Sequence, residues 1–230
     1  MAIFTIGDLP LSLGTSKPMD IFSGWENYVE RLRENWLAAV GPQDTVVLAG
    51  DTSWAMKLED CSADFAFLQN LPGRKLLLKG NHDYWWTTAA KFYRFCEENG
   101  FSDLYLLNNN CYFYNGIALT GTRGWFFEED APDGSHNDKI FKRELLRLEA
   151  SLRAAGDTPE KLCFLHYPPR YRGYECPEIL ALLERYGVKE CCYGHLHGSS
   201  HRLAIEGVHH GVTYRLCAAD YTNFAPIRLR

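Results

Sequence analysis

Long apolar runs are missing from this chain. No stretch approaches the roughly 18 residues that a membrane-spanning helix needs, so no membrane span is expected. An excess of positive charge is missing too. The formal net charge is -5, and no basic patch interleaved with aromatics is present, so a nucleic-acid partner is not expected. Among the eight cysteines there is no Cys-x-x-Cys pair. Most sit in apolar runs such as Leu162-Cys163-Phe164-Leu165, which reads as reduced, buried thiols in a cytoplasmic protein rather than a disulfide framework. The opening Met1-Ala2-Ile3-Phe4-Thr5-Ile6 has no basic flank and reads as a strand, not a signal peptide. Internal repeats, low-complexity tracts and convincing linkers are also absent. At 230 residues, a single domain spanning 1–230 is expected.

What the chain does have is a core. Apolar types make up 46% of it and aromatics 14%, which excludes a disordered chain. Strand-length apolar runs at 2–6, 45–49 and 76–78 alternate with helical periodicity through Trp25, Val29, Leu32, Trp36 and Val40, and with helical segments at 58–70 and 87–99. That order predicts a parallel sheet. The pattern then changes. Strands are expected at 104–107, 111–114 and 117–120, the last two joined by the type I′ signal Asn115-Gly116. A helix over 138–155 presents Phe141, Leu145, Leu148 and Leu152, and a helix over 177–186 starts on proline. Strands at 162–165 and 190–193 follow the same rule, and a last hairpin is expected from 203–205 and 212–216, with His209-His210-Gly211 as a polar turn between its strands.

The informative residues are those that end the apolar strands. Asp8, Asp51, Asn81, His82, His166, His195 and His197 all lie a few residues past a strand's last apolar side chain. Strand ends of an open α/β sheet gather on one edge, where ligands bind. Oxygen donors mixed with imidazoles suit Mn, Fe, Zn or Co rather than Ca or a thiolate site. A carboxylate such as that of Asp51 can bridge two ions, and two ions can clamp a phosphoryl group and activate water near neutral pH. Bound cations would also supply the positive charge that an acidic chain lacks for a small phosphorylated substrate.

Taken in order, Asp8, Gly50-Asp51, Gly80-Asn81-His82-Asp83, His166 and Gly194-His195-Leu196-His197 resemble the calcineurin-like metallophosphoesterases, and the resemblance runs from residue 6 to about 200. The opening segment, with Ser12-Leu13-Gly14 and Lys17 to Phe22, is similar to an uncharacterised bacterial branch of that family. The resemblance implies a four-layer αββα sandwich with two mixed β-sheets and a pair of divalent metal ions (Mn, Fe or Zn). It implies that Asp51 bridges both ions, that Asp8 and His197 bind the first, and that Asn81, His166 and His195 bind the second. A metal-bridging hydroxide would attack phosphorus in line, with His82 as general acid and Asp83 orienting His82. One position departs from the family pattern. The first motif, Asp-x-His in the family, reads Asp8-Leu9-Pro10 here, so the first ion loses an imidazole; His136 is a candidate substitute.

Other residues keep two readings. Arg123 either grips phosphate oxygens or forms a surface salt bridge to Glu128, Glu129 or Asp130. Arg170 and Arg172, after the ligand His166, are weaker candidates of the same kind. Tyr84-Trp85-Trp86 is either a stacking wall for a leaving group or packing under a helix start. A thiol-based phosphatase is set aside, because no Cys-x5-Arg loop follows a strand. The alternative to an enzyme is a family member weakened at Pro10 and kept as a binding or regulatory module.

Overall fold

Apolar residues run unbroken through the central strands because both faces of each sheet are covered. The computed structural model describes residues 1–125 and 134–230, the side chains of 134–137 excepted. In chain order the elements are β1 (Ile3–Ile6), α1 (Tyr28–Ala39), β2 (Thr45–Leu48), α2 (Ser62–Gln69), β3 (Arg74–Leu77), α3 (Ala89–Asn99), β4 (Leu104–Leu106), β5 (Tyr112–Tyr114), β6 (Ile117–Thr122) and α4 (Gly134–Ala154). They continue with β7 (Glu160–Leu165), β8 (Arg170–Tyr171), β9 (Tyr174–Glu175), α5 (Pro177–Arg185), β10 (Glu190–Tyr193), β11 (Gly207–His209), β12 (Val212–Leu216) and β13 (Ile227–Arg228). One sheet has the order β13-β1-β2-β3-β4 and the other β11-β12-β10-β7-β6-β5. Neighbours within β1 to β4, and within β12-β10-β7-β6, are parallel, while β13, β11 and β5 add antiparallel edges.

Alternation along the strands divides the core into three apolar layers. Val47, Ala49, Leu76 and Leu78 of the first sheet meet Leu119, Leu162, Phe164 and Cys192 of the second. The opposite face of the first sheet, with Phe4, Val46, Leu48 and Leu77, takes Trp36, Phe65 and Phe92 from α1, α2 and α3. The opposite face of the second, with Cys163, Leu165, Cys191 and Tyr193, takes Leu148, Leu152, Ile179 and Leu183 from α4 and α5. Helix, sheet, sheet and helix are thus stacked in the four layers expected. All eight cysteines are free thiols, and seven are buried. No helix of the described residues is long and apolar enough to cross a membrane.

Three local expectations change. The final hairpin starts at Gly207, not at 203. His210 and Gly211 both have positive φ, 48° and 79°, which makes a two-residue turn that fixes His209 opposite Val212. Leu203 instead ends a 3₁₀ turn, and the backbone of Ile205 is satisfied by the Tyr193 hydroxyl rather than by a strand. The segment at 58–70 is a 3₁₀ turn, Leu58–Cys61, followed by α2. Two short strand pairs went unpredicted: β13 on β1, and β8 on β9.

Candidate metal centre

The two sheets are joined at the edge where their parallel strands end. Just past β1, the Gly7 amide donates to the Cys217 carbonyl at 2.7 Å and its carbonyl accepts from Ala219 at 2.9 Å, so the ends of β1 and β12 are tied together. The next residue, Asp8, turns the chain with φ 59°; Asp51 does the same past β2 with φ 50°, and His195 past β10 with φ 71°. The left-handed region is costly for a residue with a side chain, mildly for Asp and more for His, and such conformations persist where the surroundings impose them. Here they aim three side chains at one point.

That point is crowded with donor atoms. Asp8 and His166 are fully buried and Asp51 nearly so. One ligand atom from each lies within 4.8 Å of the other two. The Asn81 Oδ1 atom stands 2.5 Å from His166 Nε2 and 3.1 Å from His195 Nδ1, and Asp51 Oδ2 is 3.6 Å from the same His166 nitrogen. On the other side, His197 Nε2 lies 3.3 Å from Asp8 Oδ1. The second oxygens of the two carboxylates are held by backbone amides: Asp8 Oδ2 accepts from His195 at 3.0 Å and Asp51 Oδ1 from His82 at 2.8 Å. Asp8 Oδ1 is buried, and its nearest donor is His197 Nε2 at 3.3 Å. A buried carboxylate oxygen served only by one distant donor costs free energy that a cation would offset. The six side chains expected as ligands are therefore brought together, and their donor set fits divalent ions.

The electrostatics agree with that use. Burial pushes the Asp51 carboxyl up to about 7, and the neighbouring Asp8 charge adds to the rise. Burial works against ionisation of Asp8 as well, but the charge of His197 and its hydrogen bond hold Asp8 below the usual range. Burial, with the nearby His166, lowers His195 to about 3, and burial also lowers His166, so both rings are neutral and able to ligate. His197 is the exception. Burial would lower it, but Asp8 on one side and Asp220 on the other raise it to about 11.

His82 lines the cavity in front of Asp8 and Asp51, with its ring centroid 4.8 Å from that of Trp54. Asp83 does not orient it. The Asp83 carboxylate instead accepts from the amides of Asp51 and Gly80 through Oδ2, at 2.9 and 2.7 Å. Its Oδ1 accepts from Thr52 at 2.9 Å, from Ser53 at 3.3 Å and from the Trp85 indole at 2.9 Å. The buried carboxylate is swept into backbone donors of two loops and clamps the loop of Asp51 to the loop of Asn81. The buried Nδ1 of His82 meets no hydrogen-bond partner among the described residues.

Arg123 is placed elsewhere. Its backbone carbonyl accepts from the amides of His166 and Tyr167, but its guanidinium faces a separate cavity with Lys79 and Arg147 and pairs with the buried Glu144 at 3.5 Å. The expected phosphate grip gives way to an ion pair, with an acid of α4. Glu128, Glu129 and Asp130 lie outside the described residues, as does the side chain of His136. Arg170 pairs with Glu175 at 3.0 Å. Trp85 is buried and Trp86 packs against the same core, so packing is the reading that holds for them. The aromatics at the cavity are Phe22, Trp25 and Trp54.

The sequence reading missed Asp220. It lines the cavity, and its Oδ1 lies 3.0 Å from His197 Nδ1 while its Oδ2 accepts from the Gly198 amide at 3.0 Å and sits 3.1 Å from His201 Nε2. A carboxylate on the far nitrogen of an imidazole fixes the ring so that Nε2 faces Asp8. The signal was present: Asp220 follows the apolar run of β12 as Asp8 follows β1.

Buried carboxylates, neutral imidazoles and one amide oxygen, held on loops where two sheets meet, define a divalent-metal centre. The sequence profile described as calcineurin-like phosphoesterase matches residues 1–199, and the chain belongs to that family. Among solved structures, the phosphopantetheinyl hydrolase of Mycobacterium tuberculosis superposes with a TM-score of 0.60 at 14% identity, covering 99% of this chain and 95% of that one. A protein of unknown function from Aquifex aeolicus gives 0.51 at 14% identity with the same coverage. At these identities the likeness is one of fold. A comparison with curated proteins finds no match.

Proposed function

We propose that the chain hydrolyses the ester bond of a small phosphomonoester or phosphodiester with two divalent ions, Mn, Fe or Zn. Asp51 would be shared by the two ions, Asp8 and His197 would hold the first, and Asn81, His166 and His195 would hold the second. The observation that carries the proposal is the convergence of the buried Asp8, Asp51 and His166, whose ligand atoms lie within 4.8 Å of one another. Bound divalent ions supply Lewis acidity toward the phosphoryl oxygens and lower the pKa of water. The chain's own residues do the rest. The amides of His82 and His195 orient the two carboxylates, and Asp83 fixes the distance between the loop of Asp51 and that of Asn81. Burial holds His82 below its ordinary value, so its ring is neutral in the free site. A phosphoryl anion arriving beside it raises that value, which couples proton donation at the leaving oxygen to substrate binding. The net charge of -5 supports a small ester over nucleic acid, and eight free thiols are in keeping with a cytoplasmic protein.

Hydrolysis of p-nitrophenyl phosphate or its bis-ester should require added Mn and stop with a chelator. Tight metal binding without turnover of any ester would favour the binding-module alternative that Pro10 suggests. Pro10 lines the cavity beside Asp8, and a proline offers no ligand atom. The native protein, dialysed and assayed for metal per chain, should therefore retain less than Pro10→His. Full and equal occupancy in both would remove that idea. Asp220→Ala should lower metal affinity by about 10–100-fold through loss of the His197 orientation. Metal titration followed by calorimetry reads this directly, and an unchanged affinity would reduce Asp220 to surface structure.

A further inference from the structure

The cavity that opens onto Asp8, Asp51 and His82 is about 430 Å³ in volume, and the wall facing these groups is apolar. It is made by Met19, Phe22, Trp25 and Trp54, from the loops after β1 and β2. Trp54 is the closest to the chemistry, since its ring lies against His82, the group assigned to the leaving oxygen. Its indole N–H donates to the Met19 sulfur at 3.1 Å, so the polar edge of the ring is already satisfied. Phe22 stands at the mouth with 53% of its surface exposed. An aromatic side chain exposed beside a metal centre costs hydration free energy that an apolar ligand recovers.

The charges point the same way. No Lys or Arg lines the cavity among the described residues, and Asp220 adds a further carboxylate. The nearest cation on that wall, Lys17, is engaged with the Trp54 carbonyl at 3.4 Å and lies over the indole at 5.1 Å from its centroid. A second phosphate on the substrate would meet no cation of the cavity lining, only Lys17 at its edge. Resting on the phosphoesterase reading above, we infer that the substrate carries a single phosphoryl group on an apolar alcohol with an aromatic or similarly flat portion, which seats between Trp54 and Phe22. Nucleoside di- and triphosphates and sugar bisphosphates are the wrong chemistry for this wall.

The test uses the full-length protein loaded with Mn. The substrates are ethyl, hexyl and 2-phenylethyl phosphate, whose alcohols differ little in acidity, with glycerol phosphate and a sugar bisphosphate as polar comparisons. The corresponding ethyl- and 2-phenylethylphosphonates are titrated by calorimetry, because they report binding without turnover. The expected result is kcat/KM at least about tenfold higher for phenylethyl than for ethyl phosphate, the polar esters trailing, and a matching order of phosphonate affinities. Trp54→Ala and Phe22→Ala should each reduce the phenylethyl-to-ethyl ratio severalfold, with metal content per chain unchanged. A flat series, a preference for the bisphosphate, or phosphonates bound alike would overturn the inference. Failure to turn over any ester would instead count against the phosphoesterase reading, and the phosphonate affinities would still decide this one.

Discussion

Asp51→Asn is expected to lower kcat/KM on any ester the native protein hydrolyses by at least about a thousandfold, and at the same time to make the metal-free protein more stable. The two effects have one origin. The Asp51 carboxylate is nearly buried, with Asp8 as a charged neighbour, and together these push its carboxyl from 3.8 up to about 7. The folded chain therefore binds that proton more tightly than the unfolded chain. Between about pH 4 and pH 7 the unfolded state has already lost the proton while the folded state keeps it, so stability falls as pH rises, and above 7 the whole cost is present. The size of the shift sets an upper bound of about 4 kcal/mol. Asparagine keeps the volume and can still accept from the His82 amide, but it removes the charge. Unfolding in urea at pH 8 with a chelator should show the variant above the native protein. With Mn the order should reverse, because a ligand that binds only the folded state stabilises in proportion to its affinity. A variant that kept its activity within tenfold, or that was the less stable of the two without metal, would contradict the role proposed for Asp51.

How much of this was legible beforehand depended on whether the cause was local. The strands were readable because two covered faces make continuous apolar runs, as in Thr45–Leu48, where all four residues are buried. The candidate ligands were readable because each stands just beyond such a run, and because their spacing resembles a known family. What escaped reading is tertiary. Asp83 follows His82 in the chain, which suggested a partnership, but its carboxylate goes to amides that are contributed mainly by the loop of Asp51, some thirty residues away. Arg123 finds Glu144 on α4, across a segment whose acids looked nearer in sequence. Asp220 obeyed the strand-end rule but lies beyond residue 200, where the family resemblance had stopped. β13 is two residues long, and only its register against Phe4 and Thr5 makes it a strand. Tyr84-Trp85-Trp86, beside the Gly-Asn-His-Asp motif, left a stacking wall and packing both open, and Trp85 and Trp86 pack. The apolar lining of the cavity comes instead from Trp54 and from Met19, Phe22 and Trp25 of the loop before α1, of which only Trp25 fell in a periodic pattern.

Gly80→Ala should lower kcat/KM by about a hundredfold or more, although no ligand is touched. A Cβ on Gly80 would overlap both Oδ1 and the amide nitrogen of Asp51, so either the carboxylate or the loop must move. Overpacking of this kind costs about 1–3 kcal/mol of stability. The rate suffers more, because a displacement of about 1 Å in a group that positions the reaction can cost a hundredfold. The backbone of Gly80 is not in the left-handed region, so alanine could adopt its conformation, and the whole effect is attributable to the contact. Gly116→Ala is the comparison. It sits at φ 78° in the β5–β6 hairpin with nothing within 4 Å of its would-be Cβ, so it should lose stability through strain and leave kcat/KM where it was. Both variants are then destabilised, and only one is slow. Native kcat/KM in folded Gly80→Ala would mean that Asp51 can shift without consequence, against the role proposed for it. Gly194 repeats the arrangement on the other side of the site, where a Cβ would overlap Oδ2 of Asp8. The motif glycines are thus required by the space that the two carboxylates occupy, and that requirement ties the backbone of the Gly-Asn-His-Asp and Gly-His-x-His segments to the metal-binding geometry itself.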